Sequence, residues 1–340
     1  MKRYLLPETG AFYKANLHCH STLSDGSLSP EEIKKIYMEQ GYSIVAYTDH
    51  DILIPHPELK EENFLPLNGI EMEVNEEKDA DFSLIKTCHM CFVALEEDNI
   101  TAPCWHRSKY RFGNAPKFEH LVKFDETQPD YERAYTPERI SDMMRIGREK
   151  GFFVTYNHPT WSLENYAEYS RYENMNAMEI VNFGCVVTGY DDYNAKAYDD
   201  MLRCGKRIYC IATDDNHNRY EIGSRDFDSF GGFTMIKADK LEYRTITKAL
   251  EEGHFYASQG PSIHALWVED GKIHIECSEA DRIILTTGIR RTDIVFAENG
   301  VPVTQADFAV RPDDGYVRIT VIDARGDHAD TNAYFVEELL

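Results

Sequence analysis

The chain has 340 residues, 42% hydrophobic and 28% charged, which supplies enough apolar material for a packed core and, at about 150 residues per domain, suggests two domains. A wholly disordered chain is excluded. Lys and Arg total 36 against 59 Asp and Glu, a net charge of -23, so the protein's own field works against long nucleic acids and anionic membranes as partners.

No run of about 18 uncharged apolar residues is present. Met1-Lys2-Arg3-Tyr4 leads into no apolar stretch of the export-signal kind, so a cytoplasmic protein is expected. From residue 15 to about 215, short apolar runs at 15–20, 43–48, 65–74, 87–95, 152–157, 177–183 and 207–213 alternate with helical patterns. That alternation is the signature of βα units around a mostly parallel sheet or barrel. Ser29-Pro30-Glu31-Glu32 combines an N-cap, a proline at the first helical position and a capping-box Glu ahead of Ile33, Ile36 and Tyr37. Thr136-Pro137-Glu138 opens a second helix and Gly151 ends it. Residues 98–130, with Trp105, Arg107, Lys109 and Arg111, are too long and irregular for an ordinary connection and read as a lid or substrate loop. After Gly260-Pro261 the pattern becomes alternating, at 263–268, 272–277, 281–287, 293–297, 316–323 and 333–337, with Asp-Gly and Asn-Gly turns between segments. The expected domains are therefore 1–260 and a small all-β appendage, 261–340. Eight sparse cysteines read as reduced, buried thiols, including Cys88 and Cys91, whose C-x-x-C spacing falls inside a strand.

His18-Cys19-His20 closes the first strand candidate, where a period of two puts both imidazoles on one face. Later strand candidates end in residues of the same chemistry: Asp49-His50, Glu71, His89, His158 and Asp215-Asn216-His217. In a parallel α/β barrel such ends converge. With Asp25 from the Ser24-Asp25-Gly26 turn, nine candidate metal ligands collect: His18, His20, Asp25, His50, Glu71, His89, His158, Asp215 and His217. That set is too rich for one ion and suits two or three. The remaining histidines (His56, His106, His120, His254, His264, His274 and His328) take surface or packing readings.

The run from His18 to Gly26, then Thr48-Asp49-His50, Gly69-Ile70-Glu71, Asn157-His158-Pro159 and Asp215-Asn216-His217, resembles the PHP (polymerase and histidinol phosphatase) superfamily of metal-dependent phosphoesterases over roughly residues 13–260. The resemblance implies a distorted (β/α)7 barrel with a trinuclear centre. His18, His20, Glu71 and Asp215 would then hold the first ion. Glu71, as a bridge, with His89 and His158 would hold the second, and Asp25, His50 and His217 the third. His106 and His120 compete for the place of His89. Mixed imidazole and carboxylate ligands suit Mn²⁺, Fe²⁺ or Zn²⁺.

The chemistry so implied is attack on a phosphate ester by a metal-bridged hydroxide, with Glu71, Asp215 and His217 as the catalytic residues. No G-x-S-x-G elbow or P-loop suggests another route. Arg107, Arg219 and Arg225 are the expected substrate-binding cations. Trp161 and tyrosines 156, 166, 169 and 172 either wall a pocket or pack a helical insertion. Asp49 and Asp214 either orient ligand imidazoles or cap turns. The expected substrate is a small phosphate ester: a nucleotide, a sugar phosphate or a short oligonucleotide. The rival readings are a metal-dependent amidohydrolase and a non-catalytic metal- or ligand-binding module.

Overall fold

In the computed structural model, which describes residues 2–340, the apolar runs become strands with shifted ends. They are β1 (Arg3–Tyr4), β2 (Ala11–Asn16), β3 (Ile44–Tyr47), β4 (Leu65–Asn75), β5 (Thr87–Ala94), β6 (Phe152–Asn157), β7 (Ala177–Asn182), β8 (Tyr209–Thr213), β9 (Phe233–Ala238) and β10 (Phe255–Ser258). Strands β3, β5, β6 and β7 are buried at every residue, which is why their sequences run apolar without alternation.

The sheet path runs β10-β9-β2-β3-β4-β5-β6-β7-β8. Pairs β2–β3, β3–β4, β6–β7 and β7–β8 are parallel. Strand β5 is antiparallel to β4 and β6, and β9 is antiparallel to β2. The expected distorted (β/α)7 barrel is therefore corrected to a mixed α/β sheet, and its strand path does not close. The physical reason lies in the connections. Residues 76–86 between β4 and β5 contain only a short 3-10 turn at Phe82–Leu84, too little chain for a parallel crossover, so β5 turns back on β4. At the far end of the path Thr234 Oγ1 donates to the Ala212 carbonyl at 3.0 Å, a link from β9 to β8 outside the ladders.

Helix Pro30–Glu39 starts on the full capping box, Ser29 and Glu32 bonding reciprocally. Helix Pro137–Glu149 starts on Thr136 and is followed by Gly151 at φ 81°, the left-handed conformation that ends a helix at least cost in glycine. Its Gly147 lies flush on the Phe92 ring, where a Cβ would collide.

The C-terminal strands are β11 (Ile263–Glu269), β12 (Lys272–Ala280), β13 (Arg282–Thr287), β14 (Thr292–Phe296), β15 (Val303–Ala309), β16 (Tyr316–Ile322), β17 (His328–Thr331) and β18 (Tyr334–Phe335). A second sheet has the order β1-β11-β12-β15, while β14-β13-β16-β17 extends the large sheet through β10. The chain's first residues thus join the late strands: β1 pairs with β11, and Leu5 and Leu6 are buried in the same apolar cluster as Ile273 and Val317. Arg318 of β16 forks onto Asp199 of helix Ala195–Arg203, with two 2.9 Å bonds, and reaches Asp330 at 3.3 Å. No helix of the described residues is long and apolar enough to cross a membrane, and all eight cysteines are free.

Candidate metal centre

The nine residues come together at one end of the strands of the large sheet, although not all at strand termini. His18 and His20 follow β2, in a segment held by a bridge between Cys19 and Asn216 and by Cys19 N–H donating to Thr48 Oγ1 at 2.9 Å. His50 follows β3, His158 follows β6, and Asp215 and His217 follow β8. Glu71 lies in the middle of β4, and His89 is the third residue of β5. Because β5 runs antiparallel to its neighbours, its beginning lies beside their ends: His89 is opposite Asn157, the last residue of β6. Two of the nine, His158 (φ 27°) and Asp215 (φ 50°), occupy left-handed backbone, a strained state for non-glycine residues that concentrates at functional sites. Asp25 is set by a loop that Asp49 clasps, accepting from Ser21 N–H and hydroxyl at 2.8 Å each and from Ser24 N–H and hydroxyl at 3.1 and 2.6 Å.

Glu71, 1% exposed, is the hub. Its Oε1 lies 3.1 Å from His18 Nε2, 3.0 Å from His89 Nδ1 and 3.5 Å from His158 Nε2; its Oε2 lies 3.2 Å from His20 Nε2 and 3.1 Å from His50 Nδ1. Asp215 Oδ1 is 3.2 Å from His18 Nε2 and 3.0 Å from His20 Nε2, and those two nitrogens are 3.1 Å apart. His217 Nε2 is 3.2 Å from Asp25 Oδ2. Three overlapping groups, His18-His20-Glu71-Asp215, His50-Glu71-His89 and His20-Asp25-His50-His217, each offer atoms within 4.8 Å of one another.

These separations suit a shared cation. With metal–ligand bonds of about 2.1 Å, adjacent corners of an octahedron stand about 3.0 Å apart, as the nitrogens and oxygens here do. The alignment is poor for direct hydrogen bonds: His20 Nδ1, His50 Nδ1, Glu71 Oε2 and His89 Nε2 are buried without a hydrogen-bond partner, a costly state unless something else satisfies them. The donor set therefore fits divalent metal ions.

Charge follows the same geometry. Burial disfavours charge on His18 and His20, yet the carboxylates of Asp215 and Glu71 hold both well above the usual imidazole range. Burial lowers His50 to about 3 against the pull of Glu71, with His20 and His89 adding to the effect. Glu71, despite its burial, is held well below the carboxylate range by His18, His50 and His89.

A cavity of about 350 Å³ opens on this cluster and is walled by Phe82, Phe112 and Trp161, with Arg219 at its rim. Arg219 Nη2 donates to Asp25 Oδ2 at 2.7 Å. The other two expected substrate cations are not brought here. Arg107 ties down its own loop, donating to Asp130 Oδ1 at 2.6 Å and to the carbonyls of Glu126 and Gln128 at 3.0 Å each, and it lines a different cavity against helix Pro137–Glu149. Arg225 is 92% exposed on Asp226. Neither lines the cavity over the cluster: Arg107 is paired with Asp130, 23 positions along the chain, and Arg225 with its neighbour Asp226. Phe112 is what the 98–130 segment contributes, its ring 5.0 Å from His50. Tyr156, Tyr169 and Tyr172 are packed inside, Tyr156 and Tyr172 donating to buried Glu164, and Tyr166 is exposed, while Trp161 stacks edge-on to His89 and His158. His106 is engaged by Glu132 and His120 is exposed, whereas His89 lies beside Glu71. Neither Asp49 nor Asp214 touches an imidazole; Asp214 accepts from the N–H groups of Phe230, Gly231 and Gly232.

Besides Glu73, whose Oε2 is 3.5 Å from His89 Nε2, two side chains outside the motifs contact the imidazoles. Glu179 Oε1 is 2.7 Å from His18 Nδ1, and Ser162 Oγ is 3.2 Å from His158 Nδ1. An acid in the centre of the apolar run Ala177-Met178-Glu179-Ile180-Val181 was the available signal, since an unpaired carboxylate is seldom buried in a strand.

A segment of 66 residues is 41% identical to a 5'-3' exoribonuclease of Haemophilus influenzae; it covers 18% of this chain and only 24% of that protein's length. Among solved structures, a two-domain protein from Bacteroides vulgatus, described as containing a predicted PHP-like metal-dependent phosphoesterase, is similar at 15% identity and a TM-score of 0.46, over 97% of each chain. An amidohydrolase from Chromobacterium violaceum, solved with bound sulfate and no metal, is similar at 18% identity and a TM-score of 0.39, over 63% of this chain and 90% of that one. The family model described as the PHP domain matches residues 16–252, well over half of the sequence, and the chain belongs to that family.

Proposed function

We propose that this protein is a metal-dependent phosphoesterase that hydrolyses a small phosphate ester, a nucleotide, a sugar phosphate or a short oligonucleotide. The observation that carries the reading is the buried Glu71 carboxylate, within 3.5 Å of nitrogens on five histidines. His18, His20, Glu71 and Asp215 would hold one ion, Glu71 with His89 and His158 a second, and Asp25, His50 and His217 a third, the ions being Mn²⁺, Fe²⁺ or Zn²⁺. Ions of this kind, when bound, activate water near neutral pH and offset charge on phosphoryl oxygens.

The chain's own residues do the rest. Glu71 presents its two oxygens to separate sets of imidazoles, so it holds the sets at fixed spacing. Asp25, Asp215 and His217, with side chains 12%, 12% and 22% exposed, are the most exposed of the cluster members that line the cavity. Arg219 keeps one N–H on Asp25 and has others free to fork onto a phosphate oxygen pair. Phe82, Phe112 and Trp161 shed water from the mouth and cover the organic part of the substrate. A cavity of about 350 Å³ is of small-molecule size, and the net charge of -23 opposes a long polyanion. The local identity to a protein named a 5'-3' exoribonuclease supports nucleotides and short oligonucleotides within that class.

The test is turnover of phosphomonoesters, phosphodiesters, amides and lactams by manganese-loaded protein. Phosphate-ester hydrolysis that is faster on short than on long single strands is expected. Preference for amides or lactams would favour an amidohydrolase, and metal-loaded protein inert on all four would favour a binding module.

A further inference from the structure

A coordinating imidazole offers one nitrogen to the metal and needs a partner for the other, and the partner decides which nitrogen is free. Around this cluster the partners are unequal. His158 Nδ1 meets a neutral hydroxyl, Ser162 Oγ, at 3.2 Å, and His217 Nδ1 meets the Asp215 carbonyl at 3.0 Å. His18 Nδ1 instead meets a carboxylate outside the nine, Glu179 Oε1, at 2.7 Å.

Glu179 is completely buried. Its Oε1 also accepts from Thr213 Oγ1 at 2.7 Å, and its Oε2 accepts from the His158 N–H at 3.0 Å and from Asn182 Nδ2 at 2.9 Å. Four donors thus fill a carboxylate's capacity. The same Asn182 amide reaches Asp215 Oδ2 at 3.1 Å. One acid on β7 is therefore tied to His18, beyond β2, to the backbone of His158, beyond β6, and through Asn182 to Asp215, beyond β8.

We propose that Glu179 is the positioning residue of the centre: it holds the Nδ1 proton of His18, which leaves Nε2 bare and aimed at Glu71 and Asp215, and it sets the spacing of three ligand-bearing connections. This rests on the metal-centre reading above. Glu179, His18 and His158 also lie close enough together to hold an ion themselves, but an acid already accepting four hydrogen bonds has no oxygen lone pair left to donate. Outer partners of this type change metal affinity by about 10–100-fold.

The experiment uses the full chain loaded with zinc, with ¹⁵N-labelled histidine. His18 is expected to show a protonated Nδ1 and a zinc-bound Nε2; a protonated Nε2 or a zinc-bound Nδ1 overturns the proposal, and requires no variant that might misfold. Chelator competition then reads Glu179→Gln and Thr213→Val. Glu179→Gln, in which an amide N–H replaces the acceptor facing the His158 N–H, should weaken one zinc equivalent by about 10–100-fold with the remaining equivalents less affected, and Thr213→Val should weaken it less. Folded Glu179→Gln protein with wild-type zinc affinities overturns the positioning role, and complete loss of an ion would show Glu179 to be a ligand. Wild-type chain that binds no zinc overturns the metal-centre reading itself, whereas zinc binding that is insensitive to Glu179 overturns this inference alone.

Discussion

Replacing Glu71 with alanine removes the carboxylate around which five imidazoles are arranged, at 3.0 to 3.5 Å. Without metal, those rings lose the buried negative charge that balances them, and breaking a buried ion pair by removing one partner costs about 3–5 kcal/mol. With metal, a donor is lost from two of the proposed ions at once. Changes in outer partners alone lower metal affinity or activity by about 10–100-fold, so loss of a shared ligand should lower turnover by more than about 100-fold, at least about 2.7 kcal/mol in barrier. The assay pairs metal equivalents per chain, from inductively coupled plasma mass spectrometry, with p-nitrophenyl phosphate hydrolysis. A folded Glu71→Ala protein with wild-type metal content and turnover would show that Glu71 bridges nothing.

The fork from Arg318 onto Asp199, with Asp330 alongside, fastens the late strands to the helix beneath them, and Arg318→Ala should destabilise by about 3–5 kcal/mol through two uncompensated carboxylates; a urea midpoint unchanged from wild type would contradict this. Glu164 is raised to about 7 by burial, against the hydroxyls of Tyr156, Tyr172 and Tyr135, so the folded state holds its proton more tightly than the unfolded one and stability should fall as pH rises from about 4.3 to 7, by about 3 kcal/mol. Glu164→Gln should remove that slope in urea titrations, and parallel profiles for the two proteins would count against it. At Gly26 a Cβ would stand against the His20 carbonyl, so Gly26→Ala should displace the turn carrying Asp25 and reduce the metal equivalents bound, with full metal content as the contrary result.

Much of the candidate site was legible because its chemistry is local in sequence: His18-Cys19-His20, Asp49-His50 and Asp215-Asn216-His217 each put ligand-type residues within three positions. Strand direction was less legible. An apolar run such as Cys88-His89-Met90-Cys91-Phe92 looks the same whichever way it runs, and only the short connection of residues 76–86 signals that β5 reverses, which makes the expected mostly parallel sheet a mixed one. The late strands β15 and β17 were missed since they are short or edge-exposed, as in the burial of Val303–Ala309, so alternation is weak. Arginine placement was less legible for another reason: a guanidinium pairs with whichever carboxylate folding brings near, as Arg107 does with Asp130. Glu179 escaped because its meaning depends on His18, 161 positions away.

The most direct test of the metal-dependent phosphoesterase reading is hydrolysis of p-nitrophenyl phosphate by the full chain before chelation, after chelation, and after return of Mn²⁺, with metal equivalents counted at each stage. The account predicts two or three first-row divalent ions per chain at the start, loss of turnover as they are stripped, and recovery as they return. Turnover that persists in metal-free protein, or a chain that takes up no divalent ion, would contradict it.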